Sequence, residues 1–93
     1  MMCRTVKYSG HAFQQMLNRL ISPVEVLAVI ENGIEIASYP DDTPLPSVLL
    51  MCYVGTRPLH VVVGISAGED VCHVITAYEP NRELWTDNFT KRR

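Results

Sequence analysis

Ser22-Pro23-Val24-Glu25-Val26-Leu27-Ala28-Val29-Ile30-Glu31-Asn32-Gly33-Ile34-Glu35-Ile36 is the stretch on which the fold turns, because a helix opens it and a strand closes it. A serine cap, proline at the first helical position and glutamate three residues after the cap together satisfy several of the amides a helix start leaves unpaired. The run from Val26 to Ile30 is apolar on nearly every side and stops at Asn32-Gly33, where glycine is expected to close the helix in a left-handed conformation. After Gly33 the period drops from helical to two, with Ile34 and Ile36 on one side and Glu35, Ala37 and Tyr39 on the other.

Upstream of this junction, Ser9 or Gly10 offers a helix cap, and Phe13, Met16, Leu17 and Leu20 follow at helical spacing, which predicts that they face inward. His11, Gln15, Asn18 and Arg19 then form a polar stripe on the opposite side. Downstream, a loop with three prolines at 40–46 leads into β-rich runs at 47–54, 58–66 and 71–78, separated by turns at Gly55-Thr56 and at 67–70. The expected architecture is α+β, with two N-terminal helices packed on a four-stranded antiparallel sheet, all in one domain spanning 1–93. Those last three strands are apolar on both faces, so something must cover the second face: the tail with Trp85 and Phe89, a second copy of the chain, or a binding partner.

Composition narrows the function. With 47% hydrophobic and 19% charged residues in 93, the chain is neither a disordered tail nor a supercharged nucleic-acid arm. Its longest apolar run, Val48 to Val54, is far short of the roughly 20 residues of a membrane helix. The first seven residues hold no apolar signal core, and the odd set Cys3, Cys52 and Cys72 has no CxxC spacing. Those features predict a cytoplasmic protein without disulfide framework, structural metal or cofactor. The net charge of −2 is unevenly laid out, since residues 1–19 hold Arg4, Lys7 and Arg19 with no acid, and 20–56 hold five acids with no base.

Several side chains carry usable chemistry. His11 lies in the first turn of a helix, whose positive end favours a neutral ring able to accept a proton. His60 sits within the apolar run Leu59-His60-Val61-Val62-Val63 and needs a partner or a cleft. Arg19 can clamp a phosphate or carboxylate, or cap helical carbonyls, about 12 Å along the helix axis from His11. Gln15 lies between them. Thr76 and Tyr78 share parity on the last strand and are expected on one side of it, while Tyr39 and Tyr53 are expected to pack rather than stack on a base. His73 has no supporting neighbour. No HExxH, glycine-rich phosphate loop or serine nucleophile elbow occurs.

Taken in order, His11-Ala12, Met16, Arg19, Ile21-Ser22, Asn32-Gly33, Tyr39-Pro40, Arg57-Pro58-Leu59-His60-Val61-Val62, Thr76-Ala77-Tyr78-Glu79-Pro80 and Trp85 resemble a small bacterial and archaeal family of unknown function. Its signature opens HAxxRMxxRGI and ends in a T-x-Y-x-P strand. That family is similar to the RelE and MqsR toxins and to the wider barnase, EndoU and colicin nuclease group, and is often encoded beside zinc-finger antitoxins. The resemblance implies a RelE/barnase-like fold and a metal-independent endoribonuclease toxin of the mRNA interferase type, with RNA as substrate and a zinc-finger antitoxin or a second copy as partner.

It further implies that His11 or His60 serves as acid and base and that Arg19, helped by Arg57, steadies the phosphorane. Tyr78 would orient a phosphate or base, and Gln15 and Thr76 would bind substrate. Two departures stand out: Gln15 replaces the family arginine, and Leu20 the family glycine. The rival expectations are a non-catalytic interaction module, whose two-faced sheet docks a partner, and a small-ligand binder built on His60 and Tyr78.

Overall fold

Two serines start the two helices. In the computed structural model, which describes residues 1, 3–66 and 68–93, the Ser9 hydroxyl accepts from the Ala12 N–H at 3.0 Å and opens α1 (Gly10–Asn18). Ser22 and Glu25 exchange the two bonds of a capping box, 2.9 and 3.1 Å, at the start of α2 (Pro23–Asn32). The Ser22 backbone N–H holds the Glu25 carboxyl below its usual range, helped by the Ser22 hydroxyl and the Arg57 guanidinium against the opposing effect of burial.

The strands are β1 (Thr5–Tyr8), β2 (Ile34–Tyr39), β3 (Ser47–Val54), β4 (Arg57–Ser66) and β5 (Val71–Tyr78), in the sheet order β1-β5-β4-β3-β2. The expected four-stranded antiparallel sheet is therefore corrected to a five-stranded mixed one, in which β1 runs parallel to β5 with Thr5 opposite Val71 and Tyr8 opposite Val74. Four residues are too few for a period to register, so the sequence held no sign of β1. The same pairing overturns the cysteine reading. Cys3 and Cys72 are joined in a disulfide, Cα atoms 5.8 Å apart, while Cys52 stays free, and the inference of a reducing compartment loses its premise. Among the described residues no helix is long and apolar enough to cross a membrane. The turn read at 67–70 begins on Ala67, outside the described residues.

Gly33 is also corrected. Its backbone is extended (φ −72°, ψ 158°), because the chain passes from α2 straight into β2. Glycine is needed there for room: a Cβ would run into the carbonyl oxygen of Val29 and lie 3.1 Å from that of Met51. Among the described residues, those other than glycine with a left-handed backbone are Leu20, Asp70 and Phe89, so Leu20 (φ 55°) occupies the kind of position that favours the glycine expected from the resemblance.

The sheet carries a core on each face. Ala12, Met16, Ile21, Val26, Val29 and Ile30 close the helical side over Val48, Leu50, Leu59, Val61 and Val63. On the other side Trp85 and Phe89 bury Leu49 and Met51, with Ile36, Ala37 and Val62 half-buried around them. Of the three covers named for this face, the C-terminal segment supplies one. The period-two reading of β2 fails at a register shift between Glu35 and Ala37, which turns both Ile36 and Ala37 toward the Trp85 core.

Helix α1 is rotated by about one residue, roughly 100°, from its expected orientation. Ala12 and Met16 face inward, whereas Phe13, Leu17 and Leu20, expected inside, are exposed. This turn brings Gln15 and Arg19 of the polar stripe against β5, while His11 and Asn18 stay exposed.

Candidate active site

Strand β1 ends at Tyr8, opposite Val74, so the 75–78 edge of β5 has no strand beside it among the described residues. The polar stripe of α1 fills that role. Arg19 Nη1 donates to the Ala77 carbonyl at 2.9 Å and to the Thr76 hydroxyl at 3.2 Å. Thr76 donates to Gln15 Oε1 at 2.6 Å, and Gln15 Nε2 donates to His11 Nε2 at 3.0 Å. Donation runs one way, from guanidinium to imidazole, and leaves the hydrogen of a neutral His11 ring on Nδ1. His11 and Arg19 are exposed and Gln15 and Thr76 half-buried, so the network opens to solvent at both ends. Four of the sequence candidates thus meet in a single array.

Arg57 stands apart from it. Its guanidinium donates to the carbonyls of Leu20 at 2.8 Å and Arg19 at 3.0 Å and pairs with Glu25 at 3.3 Å and Glu79 at 3.6 Å. These contacts pin the α1–α2 corner and with it the base of Arg19.

His60 and Tyr78 form a second cluster. His60 is 0% exposed, and its Nε2–H donates to the Phe89 carbonyl at 2.7 Å. Nδ1 is thereby left as acceptor for the Tyr78 hydroxyl at 3.2 Å. The ring also stands edge-on to Trp85, centroids 4.5 Å apart. Burial pushes the imidazole below its usual 6.5, although the bond to Phe89 favours the charged form. Both nitrogens are occupied, so none is open to a substrate. Thr76 and Tyr78 lie opposite Val62 and His60 and share one side of β5, as expected; the register shift between Val62 and Val63 falls before Thr76, which reaches Gln15 and Arg19 across the open edge while Tyr78 reaches His60.

Half-buried Tyr78 links the two clusters. Burial, reinforced by Tyr39, raises its phenol above 10, while the positive charges of Arg92 and Arg19 pull it down. Arg92, to which the sequence assigned no role, is set by its strand bridge to Trp85 and lies over that indole at 5.5 Å. Nothing local in Lys91-Arg92-Arg93 marked the middle residue. Tyr39 and Tyr53, expected to be packed, are 44% and 49% exposed. Among the described residues no three His, Cys, Asp or Glu side chains gather as a metal-ligand set.

Residues 8–79 match the family described as Domain of unknown function (DUF4258), and the chain belongs to that family. No curated protein and no solved structure matches it. The matched span includes His11, Gln15, Arg19, Arg57, His60, Thr76 and Tyr78, whereas Trp85, Phe89 and Arg92 lie beyond it.

Proposed function

We propose that this chain is a metal-independent endoribonuclease-like domain, akin to the RelE and barnase group, acting at the exposed edge of β5. The observation that carries the reading is the continuous array Arg19, Thr76, Gln15 and His11, in which a guanidinium and an imidazole flank one open strand edge. An RNA phosphodiester suits that spacing, with the phosphate facing Arg19 and the neighbouring 2′-hydroxyl entering at His11 in place of the Gln15 amide. His11 Nε2 removes the 2′-hydroxyl proton, the freed oxygen attacks phosphorus, and the 5′ oxygen leaves with a proton from water, giving a cyclic 2′,3′-phosphate. Arg19 and Arg92 stabilise the charge on the phosphorane.

His60 moves in this reading from acid or base to positioning residue: Phe89 sets its tautomer, and Nδ1 then fixes the hydroxyl hydrogen of Tyr78 so that the phenol's lone pairs face outward. Gln15 in place of the family arginine leaves the phosphate grip one charge short. Arg92 supplies a cation from outside the family span.

The test is cleavage of a single-stranded RNA in vitro by the wild type and by His11→Ala and Arg19→Ala. Loss of a general base is expected to slow cleavage by roughly 10²- to 10⁴-fold, and a product with a 2′,3′-cyclic end identifies the chemistry. Equal activity of all three proteins rejects the assignment.

A second reading, a non-catalytic docking module for a protein partner such as an antitoxin or for a second copy, is favoured by one feature. Phe13, Leu17, Leu20 and Val24 are all exposed, and Leu20, at 82%, is held out on a left-handed backbone. Stable association that survives dilution, together with absence of RNA cleavage, would select it.

A further inference from the structure

A groove of about 640 Å³ lies on the second face of the sheet, floored by Val62 and bounded by Tyr39, Asp41, Asp42 and Ser47. Val62 pairs directly with Thr76 of the β5 array, one strand spacing of roughly 5 Å away. On the same face, two residues back along β4, lies His60, whose partner is Tyr78. The groove therefore adjoins the site already described.

Its walls are unlike that site. Tyr39 presents a half-exposed ring, and Asp42 is locked in place, Oδ2 accepting from the buried Ser47 hydroxyl at 2.7 Å and Oδ1 from the Thr43 N–H at 3.0 Å. A carboxylate has about four acceptor sites, so Asp42 keeps capacity for a further donor, with Asp41 beside it. The carboxylates repel phosphate, whereas Arg19 and Arg92 attract it. A nucleotide is polar in the matching sense: a charged phosphate at one end and a flat ring, often bearing an amino group, at the other.

We propose that this groove is a nucleobase subsite, in which the base beside the phosphate at Arg19 lies over Val62, stacks on Tyr39 and offers an amino group to Asp42. Guanine, adenine and cytosine carry exocyclic amines that donate to a carboxylate; uracil has none and flanks its single ring donor with two carbonyls. The subsite thus selects against uridine. This inference rests on the ribonuclease reading for its neighbour phosphate, but makes a claim of its own about binding.

The test is titration of the intact chain with each of the four ribonucleoside 3′-monophosphates, followed by heteronuclear NMR. GMP, AMP and CMP are expected to bind about ten-fold more tightly than UMP, with the shifts centred on Tyr39 and Val62. Tyr39→Ala should weaken all of them by roughly ten- to a hundred-fold, the scale of one base stacked on an aromatic ring. Tyr39→Phe should bind as wild type. Asp42→Asn should raise UMP relative to the others, whereas Asp41→Asn, which removes a neighbouring charge without the proposed contact, should leave the base preference unchanged.

Equal binding of the four nucleotides, or indifference to Tyr39→Ala in a chain whose spectrum shows it folded, overturns the subsite. So does a lysine-rich peptide that shifts the same resonances when no nucleotide does, since the groove is then a cationic-peptide site. Selective nucleotide binding by a chain that cleaves no RNA leaves the subsite standing and removes the nuclease. RNA cleavage without base preference, unaffected by Tyr39→Ala, does the reverse.

Discussion

The two hydrogen-bonded histidines of this protein, His11 and His60, occupy opposite kinds of place. At the β5 edge, His11 is the last acceptor in a chain of donors, exposed to water, its bonded nitrogen held only by a side-chain amide that a substrate hydroxyl can replace. Under the C-terminal segment, His60 is sealed, with one nitrogen on a backbone carbonyl and the other on a phenol. The same side chain is thus a candidate base in one region and a strut in the other. What separates them is what holds the second nitrogen and whether water reaches the first.

Exchanging each ring for a methyl should break this symmetry most visibly. His60→Ala opens a cavity and strands a buried Phe89 carbonyl and the Tyr78 hydroxyl, so a loss of about 3 to 5 kcal/mol is expected in chemical denaturation. His11→Ala should change stability by less than about 0.5 kcal/mol, its effect appearing instead in the cleavage assay. Comparable destabilisation by both substitutions would erase the distinction.

The pH dependence of stability sharpens the contrast. Because burial keeps the His60 imidazole below 6.5 in the folded chain, the unfolded chain takes up the proton first as the pH falls. Its contribution is therefore fully present above about pH 6.5 and declines as the pH drops toward the lower folded value. Urea midpoints measured from pH 7.5 to 5 should fall, and should fall less in His60→Gln. A slope the same in both proteins would place the titration elsewhere.

At the open end, Gln15→Arg introduces a second cation beside Arg19, which on the ribonuclease reading adds one phosphate contact. The slope of log affinity against log salt for single-stranded RNA should steepen by about 0.7. An unchanged slope would mean that position 15 does not face the backbone. The smallest effect is expected at the corner that carries Arg19. Leu20→Gly relieves a left-handed leucine and should raise stability by roughly 0.5 to 1 kcal/mol, the αL strain offset in part by glycine's freedom in the unfolded chain. Thermal melting reads that change.

How legible the molecule was in its sequence differs from element to element. Ser22-Pro23-Val24-Glu25 announced α2 correctly, because a capping box is a contact among neighbours. The limits of β3 and β5 were equally plain, since runs of branched residues between turns need no distant partner to be read. The inward face of α1 was misread, because helical spacing gives a stripe and not the direction in which it points. Ala12, small and unremarkable in the sequence, proved to be at the core, and three larger apolar residues stayed outside. Of the site, His11, Gln15, Arg19 and Thr76 were named as candidates; that they touch was not readable, and Arg92 went unnoticed.

From the order of residues alone came two helices, the first capped at Ser9 or Gly10 and the second at Ser22, the strands after them, and a short set of polar side chains set among apolar ones. All are matters of local period and turn chemistry, which act over a few residues. Only the folded chain decided that β1 lies parallel to β5, that Cys3 meets Cys72 across 69 residues, and that Arg19 meets Thr76 across 57. Such pairings depend on strand register, where a shift of one residue turns every side chain to the other face, and no local signal encodes that choice.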